Sequence, residues 1–222
     1  MYTGGYDPRL EDNIQTLSDL VSAAATLRLT YHIVSPNDIP TSAARLISNK
    51  VHEDPQILFL LNFTAAQKSA LLLSPSTLAL LYTPENEHFG IVPIEAMACG
   101  LPVLACNSGG PTESIISSPP HPLSERTGWL KEPKPETWAN ILIEIVSLSN
   151  SDPIERRALS ERAKRRAMEG FGSMAMARGL EDALREAESM GRVDTGLEMV
   201  PTILFAIIGF MCAYFIGPFL FR

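Results

Sequence analysis

Two glutamates, Glu87 and Glu95, lie with seven residues between them in a stretch that could carry chemistry. Glu87 follows Pro84 in a predicted loop, and Glu95 lies inside a predicted helix that Gly100 ends. If most of the interval is helical, eight steps of about 1.5 Å separate the two residues by roughly 12 Å. Carboxylates that cooperate on one glycosidic bond stand about 5–9.5 Å apart, so direct acid/base cooperation is a poor interpretation. The spacing favours two carboxylates that bind hydroxyls at opposite ends of one elongated ligand.

The start of the same helix lies between the two glutamates. Gly90 lets the backbone approach a ligand closely, and the free N–H groups of a first helical turn commonly bind phosphate. Pro93 is tolerated there because those N–H groups have no partner within the helix. A sugar at Glu87, a diphosphate at the helix start and a ribose at Glu95 together describe a nucleotide sugar.

Strands and helices alternate along the chain, which is typical of an α/β protein with a parallel sheet that binds ligands at the carboxyl ends of its strands. Gly4-Gly5 is interpreted as a loop because it lacks the G-x-G-x-x-G pattern. We expect about five strands, at Arg28–Ser35, Ile57–Leu61, Thr77–Tyr82, Pro102–Cys106 and Thr127–Leu130. The predicted helices are Asp7 to about Leu27, Thr41–Val51, Thr64–Leu73, the one that ends at Gly100, Pro135–Leu148, Pro153 to Phe171, and Ser173 to about Met190.

The motif around the two glutamates resembles a known family. The pattern E-x-F-G-x-x-x-x-E from Glu87 to Glu95, followed by Gly109-Gly110 and Glu113, resembles the donor half of retaining GT-B glycosyltransferases. The resemblance implies a Rossmann-like parallel sheet with flanking helices, which is the donor-binding half of a GT-B fold. It also implies that this chain corresponds to a carboxyl-terminal part, and that an acceptor-binding domain and a strand carrying an Arg and a Lys precede it.

The resemblance implies a role for each residue of the motif. Glu87 is the expected catalytic residue, which orients the sugar and does not act as a covalent nucleophile. The expected donor-binding residues are His88, Phe89, Gly90, Ile91, Val92, Glu95, Gly109 and Gly110. A plainer interpretation stays open, in which Glu87 caps the following helix and Glu95 is an ordinary exposed helix residue. No metal site and no cofactor besides the donor substrate are expected.

The fuller motif, including His88, is similar to one branch of the family. Members of that branch transfer mannose from GDP-mannose to a mannosyl-chitobiose on dolichol diphosphate, first alpha-1,3 and then alpha-1,6, during assembly of the N-glycan precursor. The implied partners are the nucleotide sugar, the dolichol-diphosphate-linked oligosaccharide, the membrane and other glycosyltransferases of the pathway. Two alternatives stay open: an inactive, membrane-anchored nucleotide-sugar-binding protein, and a retaining transferase with another nucleotide.

Composition narrows the class of protein further. The 222 residues are 45% hydrophobic with a net charge of −7, which argues against nucleic acid as a partner. Three cysteines are an odd number, so a disulfide framework is not expected and a reducing compartment fits. The arginine-rich run Glu155–Arg166 is interpreted either as a solvated helix face or as a contact for anionic headgroups.

An uncharged carboxyl-terminal run, Met199–Phe221, predicts a second region after a donor-binding domain over residues 1–191. Its 23 residues would be about 34 Å long as a helix, against a hydrocarbon core of about 30 Å, so we expect a transmembrane or membrane-embedded segment. Prolines and glycines within the run leave a re-entrant hairpin or a surface helix open. More arginines precede the run than follow it, so the soluble domain is expected to face the cytosol, at the endoplasmic reticulum by the resemblance.

Overall fold

The structure of the protein, a computed structural model, describes residues 2–35, 54–191 and 203–208. The chain divides into two compact units, residues 1–165 and 166–222, and the strands of the described residues all lie in the first unit. Both sheets are parallel and flanked by helices, so the predicted α/β class is confirmed. The helix predicted over Thr41–Val51 and most of the run Met199–Phe221 lie outside the described residues.

The described elements are six strands, seven α-helices, one short 3-10 helix at Leu123–Glu125 and a helical segment at residues 203–208. Strands β1 to β6 are Tyr2–Gly4, Tyr31–Val34, Ile57–Leu61, Leu80–Tyr82, Val103–Cys106 and Gly128–Lys131. Helices α1 to α7 are Glu11–Thr26, Ala65–Leu73, Ile91–Ala98, Pro111–Ser114, Pro135–Ser151, Pro153–Phe171 and Ser173–Ser189.

The strands form two three-stranded parallel sheets, in the orders β1-β3-β2 and β4-β5-β6. The expectation of a loop at Gly4-Gly5 is wrong at Gly4, which ends β1 and lies opposite Leu61 of β3. The backbone N–H of Asn62 donates to the Gly4 carbonyl at 3.0 Å and extends this pairing. The structure therefore has one strand more than predicted, because pairing with a distant buried strand makes a strand of three residues with no apolar pattern of their own.

The first sheet is covered by α1. Leu17 and Val21 of this helix pack in one buried cluster with Phe59 of β3, whose side chain is 1% exposed. The helix begins at Glu11 and not at Asp7, because the Asp7 carboxylate accepts hydrogen bonds from the backbone and side chain of Arg9. These bonds close a tight turn ahead of the helix and lower the pKa of Asp7 to about 2.

The second sheet has its own core, centred on Trp129 of β6 and Leu104 of β5. Every residue of β5 is buried, as expected for an apolar strand with a neighbour on each side. Leu159 of α6 packs into the same cluster and is 0% exposed. Each fully buried apolar side chain of this size contributes about 1.5–3 kcal/mol to the free energy of folding. Burial of the two clusters therefore stabilises the packing of the helices on the sheets.

The strand ends that matter for a ligand lie close together. A cavity of about 340 Å³ is lined by Gly4, Leu61 and Thr83, which follow or end β1, β3 and β4. Helices α2, α3 and α4 begin in the loops that follow β3, β4 and β5. Their amino termini therefore share the carboxyl edge of the strands, where ligands bind in parallel α/β sheets.

The second unit contributes the end of α6, α7 and a helical segment at residues 203–208. No residue of α7 is buried, and Ile203 and Phe205 are 51% and 76% exposed. Within the described ranges, none of the helices combines the length and the apolar character needed to cross a bilayer.

Candidate functional site

Two loops at the carboxyl edge are joined by their backbones. The N–H of Gly110 donates to the carbonyl of Glu87 at 2.8 Å, and the N–H of Asn86 donates to the Ser108 hydroxyl at 3.0 Å. The first loop carries the predicted catalytic residue and the second carries the glycine pair. The fold thus brings together two parts of the motif that are separated by some twenty residues in the chain.

The glycine pair is required by this contact between loops. A Cβ atom on Gly110 would overlap the backbone of Phe89, and one on Gly109 would overlap the carbonyl oxygen of Glu87. Gly109 also has a φ of +60°, a conformation that glycine adopts without strain. The Gly110 N–H is already bonded to the Glu87 carbonyl. The role of Gly110 in donor binding therefore stays a prediction.

Glu87 lies beside Tyr82 and is half-buried. The Tyr82 hydroxyl donates to Oε2 of Glu87 at 3.5 Å, a long hydrogen bond. Burial, and secondarily the charge of Glu87, raises the pKa of the Tyr82 phenol above its usual value. The N-cap residue of α3 is Gly90, with a φ of +77°, and no side chain makes a capping bond there, so the interpretation of Glu87 as a cap of this helix is wrong.

Glu95 lies one turn into α3 and is paired with a residue outside the motif. The Lys68 ammonium group donates to Oε1 of Glu95 at 2.6 Å, and each side chain is 32% exposed. The second oxygen, Oε2, is buried and has no hydrogen-bond partner among the described residues. Glu95 is therefore not an ordinary exposed helix residue.

The other predicted donor-binding residues lie around the start of α3. His88 is exposed, Val92 is half-buried, and Phe89 and Ile91 are 46% and 62% exposed. The structure brings the backbones of Phe89, Gly90 and the glycine pair close to Glu87, while the side chains of His88 and Ile91 face solvent. These exposed groups would have to be covered by a ligand or by another part of the protein to act in binding.

Sequence reasoning did not find two neighbours of the glutamates, Lys68 and Tyr82. Tyr82 ends an apolar run, which predicts only that it belongs to a strand. Lys68 lies 27 residues before Glu95, and no local pattern connects them. The local signal that could have pointed to Lys68 is its charge, because the start of a helix favours anions and Lys68 places a cation near the start of α2.

Chemically, the arrangement offers two carboxylates that can accept hydrogen bonds from hydroxyls, one in the loop before α3 and one a turn inside α3, and the amino terminus of this helix favours an anion. Binding a ligand in this way needs no pair of a nucleophile and a base. In the described ranges, no group of three or more His, Cys, Asp and Glu side chains is placed to hold a metal ion. The predicted absence of a metal stays a prediction.

Parallel strands with helices that start at their carboxyl edge define the class of α/β proteins that bind ligands at that edge. Residues 44–166 match the family described as Glycosyl transferases group 1, and the chain belongs to that family. It is 32% identical over 210 residues to Alpha-1,3/1,6-mannosyltransferase ALG2 of Candida glabrata, covering 92% of this chain and 44% of that protein. It is 31% identical over 217 residues to Alpha-1,3/1,6-mannosyltransferase alg-2 of Neurospora crassa, covering 96% and 42%.

The fold is shared with solved structures. Sucrose-phosphate synthase from Thermosynechococcus elongatus superimposes with a TM-score of 0.51 at 23% identity, over 85% of this chain and 38% of that one. A glycosyltransferase from Rickettsia africae gives 0.50 at 18% identity, over 83% and 47%. The chain thus spans less than half the length of these relatives and structures.

Proposed function

We propose that this chain is the donor-binding part of a retaining mannosyltransferase. The enzyme would pass mannose from GDP-mannose to a mannosyl-chitobiose on dolichol diphosphate, first alpha-1,3 and then alpha-1,6. The observation that carries the proposal is the match of more than nine-tenths of the chain to relatives named Alpha-1,3/1,6-mannosyltransferase. The placement of both glutamates of the motif near the start of α3 supports it.

In this proposal the chain's residues bind and orient the donor. Glu87 accepts hydrogen bonds from mannose hydroxyls, the first turn of α3 lies against the diphosphate, and Glu95 accepts from the ribose. No side chain forms a covalent bond to the sugar. The rate gain comes from orientation and from stabilising the departing diphosphate, and no cofactor takes part.

We further propose two regions, a donor-binding domain over residues 1–191 and a membrane-embedded segment over residues 199–221. The 23-residue run without a charge supports the second region. Together with the lipid-linked acceptor, it favours a place on the endoplasmic reticulum membrane with the first region in the cytosol.

Donor binding tests the proposal directly. Calorimetry of the chain should show binding of GDP-mannose and GDP that exceeds binding of UDP-glucose. Replacing Glu95 with glutamine should weaken GDP binding roughly 10- to 100-fold, because charge-assisted hydrogen bonds contribute about 1.5–3 kcal/mol. Glu181→Gln, which alters an exposed ion pair with Arg185 on α7, is the matched control and should bind as the wild type does.

Two results would contradict the proposal. Unchanged affinity in Glu95→Gln would remove Glu95 from the donor site, and a preference for a uridine nucleotide would exclude GDP-mannose as the donor. Transfer is followed in parallel with labelled GDP-mannose and the lipid-linked acceptor. The chain alone should bind the donor without transfer, because the proposal makes it only the donor-binding part. Binding without transfer by a longer protein that also carries the acceptor-binding part would indicate the nucleotide-sugar-binding alternative.

A further inference from the structure

Lys68 occupies a position that its own helix disfavours. It is the fourth residue of α2, where the first turn ends, and the peptide dipoles near a helix start favour anionic over cationic side chains. The turn contains no acidic residue, and its capping bonds are made by Thr64 and Gln67 without Lys68. Local helix stability therefore gives no reason for a lysine here.

The partner of Lys68 is on another helix. Its ammonium group lies 2.6 Å from Oε1 of Glu95, and the pair joins α2 to α3. Both side chains are about one-third exposed, and an ion pair with that much solvent contributes little to folding. Stability alone is a weak reason for this contact.

The contact divides the two oxygens of the Glu95 carboxylate. Oε1 is taken by Lys68, whereas Oε2 is buried and has no hydrogen-bond partner in the part of the chain that the structure describes. Buried polar atoms almost always have a partner, so the Glu95 carboxylate keeps acceptor capacity that the contacts among the described residues do not use.

We infer that Lys68 is a positioning residue of the donor site, which fixes the orientation of the Glu95 carboxylate so that this carboxylate accepts a hydrogen bond from a ribose hydroxyl of a nucleoside diphosphate. This inference rests on the proposed function, in which Glu95 binds the ribose. It adds a residue from outside the motif and assigns its role to the orientation of Glu95, not to a contact of its own with the ligand.

The test compares GDP with 2′,3′-dideoxy-GDP, which lacks the ribose hydroxyls, by calorimetry on the full chain. Lys68→Met should weaken GDP binding about tenfold and change dideoxy-GDP binding less than about twofold, because only the hydroxyl contact depends on the orientation of Glu95. Lys68→Arg keeps the charge and should restore most of the affinity for GDP. Lys164→Met, which removes a lysine paired with Glu161 on α6, is the matched control and should leave both affinities unchanged.

Each other outcome overturns the inference. Equal weakening of GDP and dideoxy-GDP in Lys68→Met would mean that Lys68 acts on the fold or on the diphosphate, and unchanged GDP binding would mean that it does not act at all. If Lys68→Met fails to fold by circular dichroism, Lys68→Gln replaces it in the same comparison. A wild-type chain that binds neither nucleotide contradicts the proposed function itself, which separates that failure from a failure at Lys68 alone.

Discussion

At the scale of single residues, each glutamate of the motif is held by a neighbour that the motif does not include. Glu87 accepts a long hydrogen bond from Tyr82, and Glu95 accepts a short one from Lys68. A carboxylate that orients a sugar or a ribose is useful only if it is itself held in place. The neighbours are therefore as much a part of the candidate site as the motif residues.

We expect Tyr82→Phe to reduce the loss of stability at alkaline pH. The pKa of the Tyr82 phenol is raised above 10.0 by burial and then by the charge of Glu87, so the folded protein holds this proton to higher pH than the unfolded chain does. Its contribution to the free energy of unfolding is fully present below the unfolded pKa of about 10 and is lost as the pH rises through the higher folded value. Urea unfolding at pH about 8 and about 11 measures the difference.

The matched control for Tyr82→Phe is Tyr31→Phe, which removes a phenol from β2 in the other sheet. If the wild type and Tyr82→Phe lose the same free energy of unfolding between the two pH values, the environment of Tyr82 does not change its titration.

At the scale of elements, the loop that carries Glu87 and the loop that carries the glycine pair are in direct backbone contact. Their backbones approach so closely that a side chain on Gly110 would overlap Phe89, and the Gly110 N–H bonds the Glu87 carbonyl. The position of Glu87 is thereby tied to the strand β5 that precedes the second loop. Substitution of either glycine should therefore both displace Glu87 and lower the free energy of unfolding.

We expect Gly110→Ala to lower the free energy of unfolding by about 1–3 kcal/mol, because the added methyl group overlaps backbone atoms that cannot move away independently. The φ of Gly110 is −54°, so the effect is steric and not conformational. Urea unfolding midpoints give the measurement.

Gly179→Ala is the control for this substitution, since a Cβ there meets no atom within 4 Å. Alanine in the middle of α7 should stabilise that helix by up to about 1 kcal/mol. A Gly110→Ala protein as stable as the wild type would mean that the two loops are not in contact in solution.

At the scale of the whole molecule, apolar character is concentrated at the carboxyl end. The run Met199–Phe221 has no charged residue, and the part of it that the structure describes exposes Ile203 and Phe205. Leaving such a run in water is unfavourable by about 25 cal/mol for each Å² of apolar surface. This composition supports the proposed membrane-embedded segment.

We expect the chain to remain with membranes after alkaline carbonate extraction, and a chain ending at Glu198 to be released or to aggregate. A wash in about 1 M salt distinguishes membrane insertion from attraction between anionic lipids and the arginines of α6. Salt at that concentration screens the interaction of charges that are more than about 3 Å apart. Release of the full chain by carbonate would contradict a membrane-embedded segment, and release by salt alone would assign the association to the arginines.

The sequence by itself determined the parallel α/β class and the stretch that carries the candidate site. The strand at Ile57–Leu61 has the predicted bounds, and β5 lies within the predicted run Pro102–Cys106. These features follow from local signals, namely apolar runs of strand length and the glycines and prolines that end them. The spacing of Glu87 and Glu95 is likewise read directly from the sequence.

Only the tertiary structure decided which groups surround those residues. β1 exists because β3 pairs with it, and Lys68 meets Glu95 because the loops after β3 and β4 reach the same edge. The arginine-rich helix is also not simply a solvated face, since Arg162 is 11% exposed and bonds Glu155 and the Arg126 carbonyl. Hydrophobic periodicity records which side of an element is buried, but it carries no information about which distant polar group will lie opposite, because that depends on how the separate elements pack.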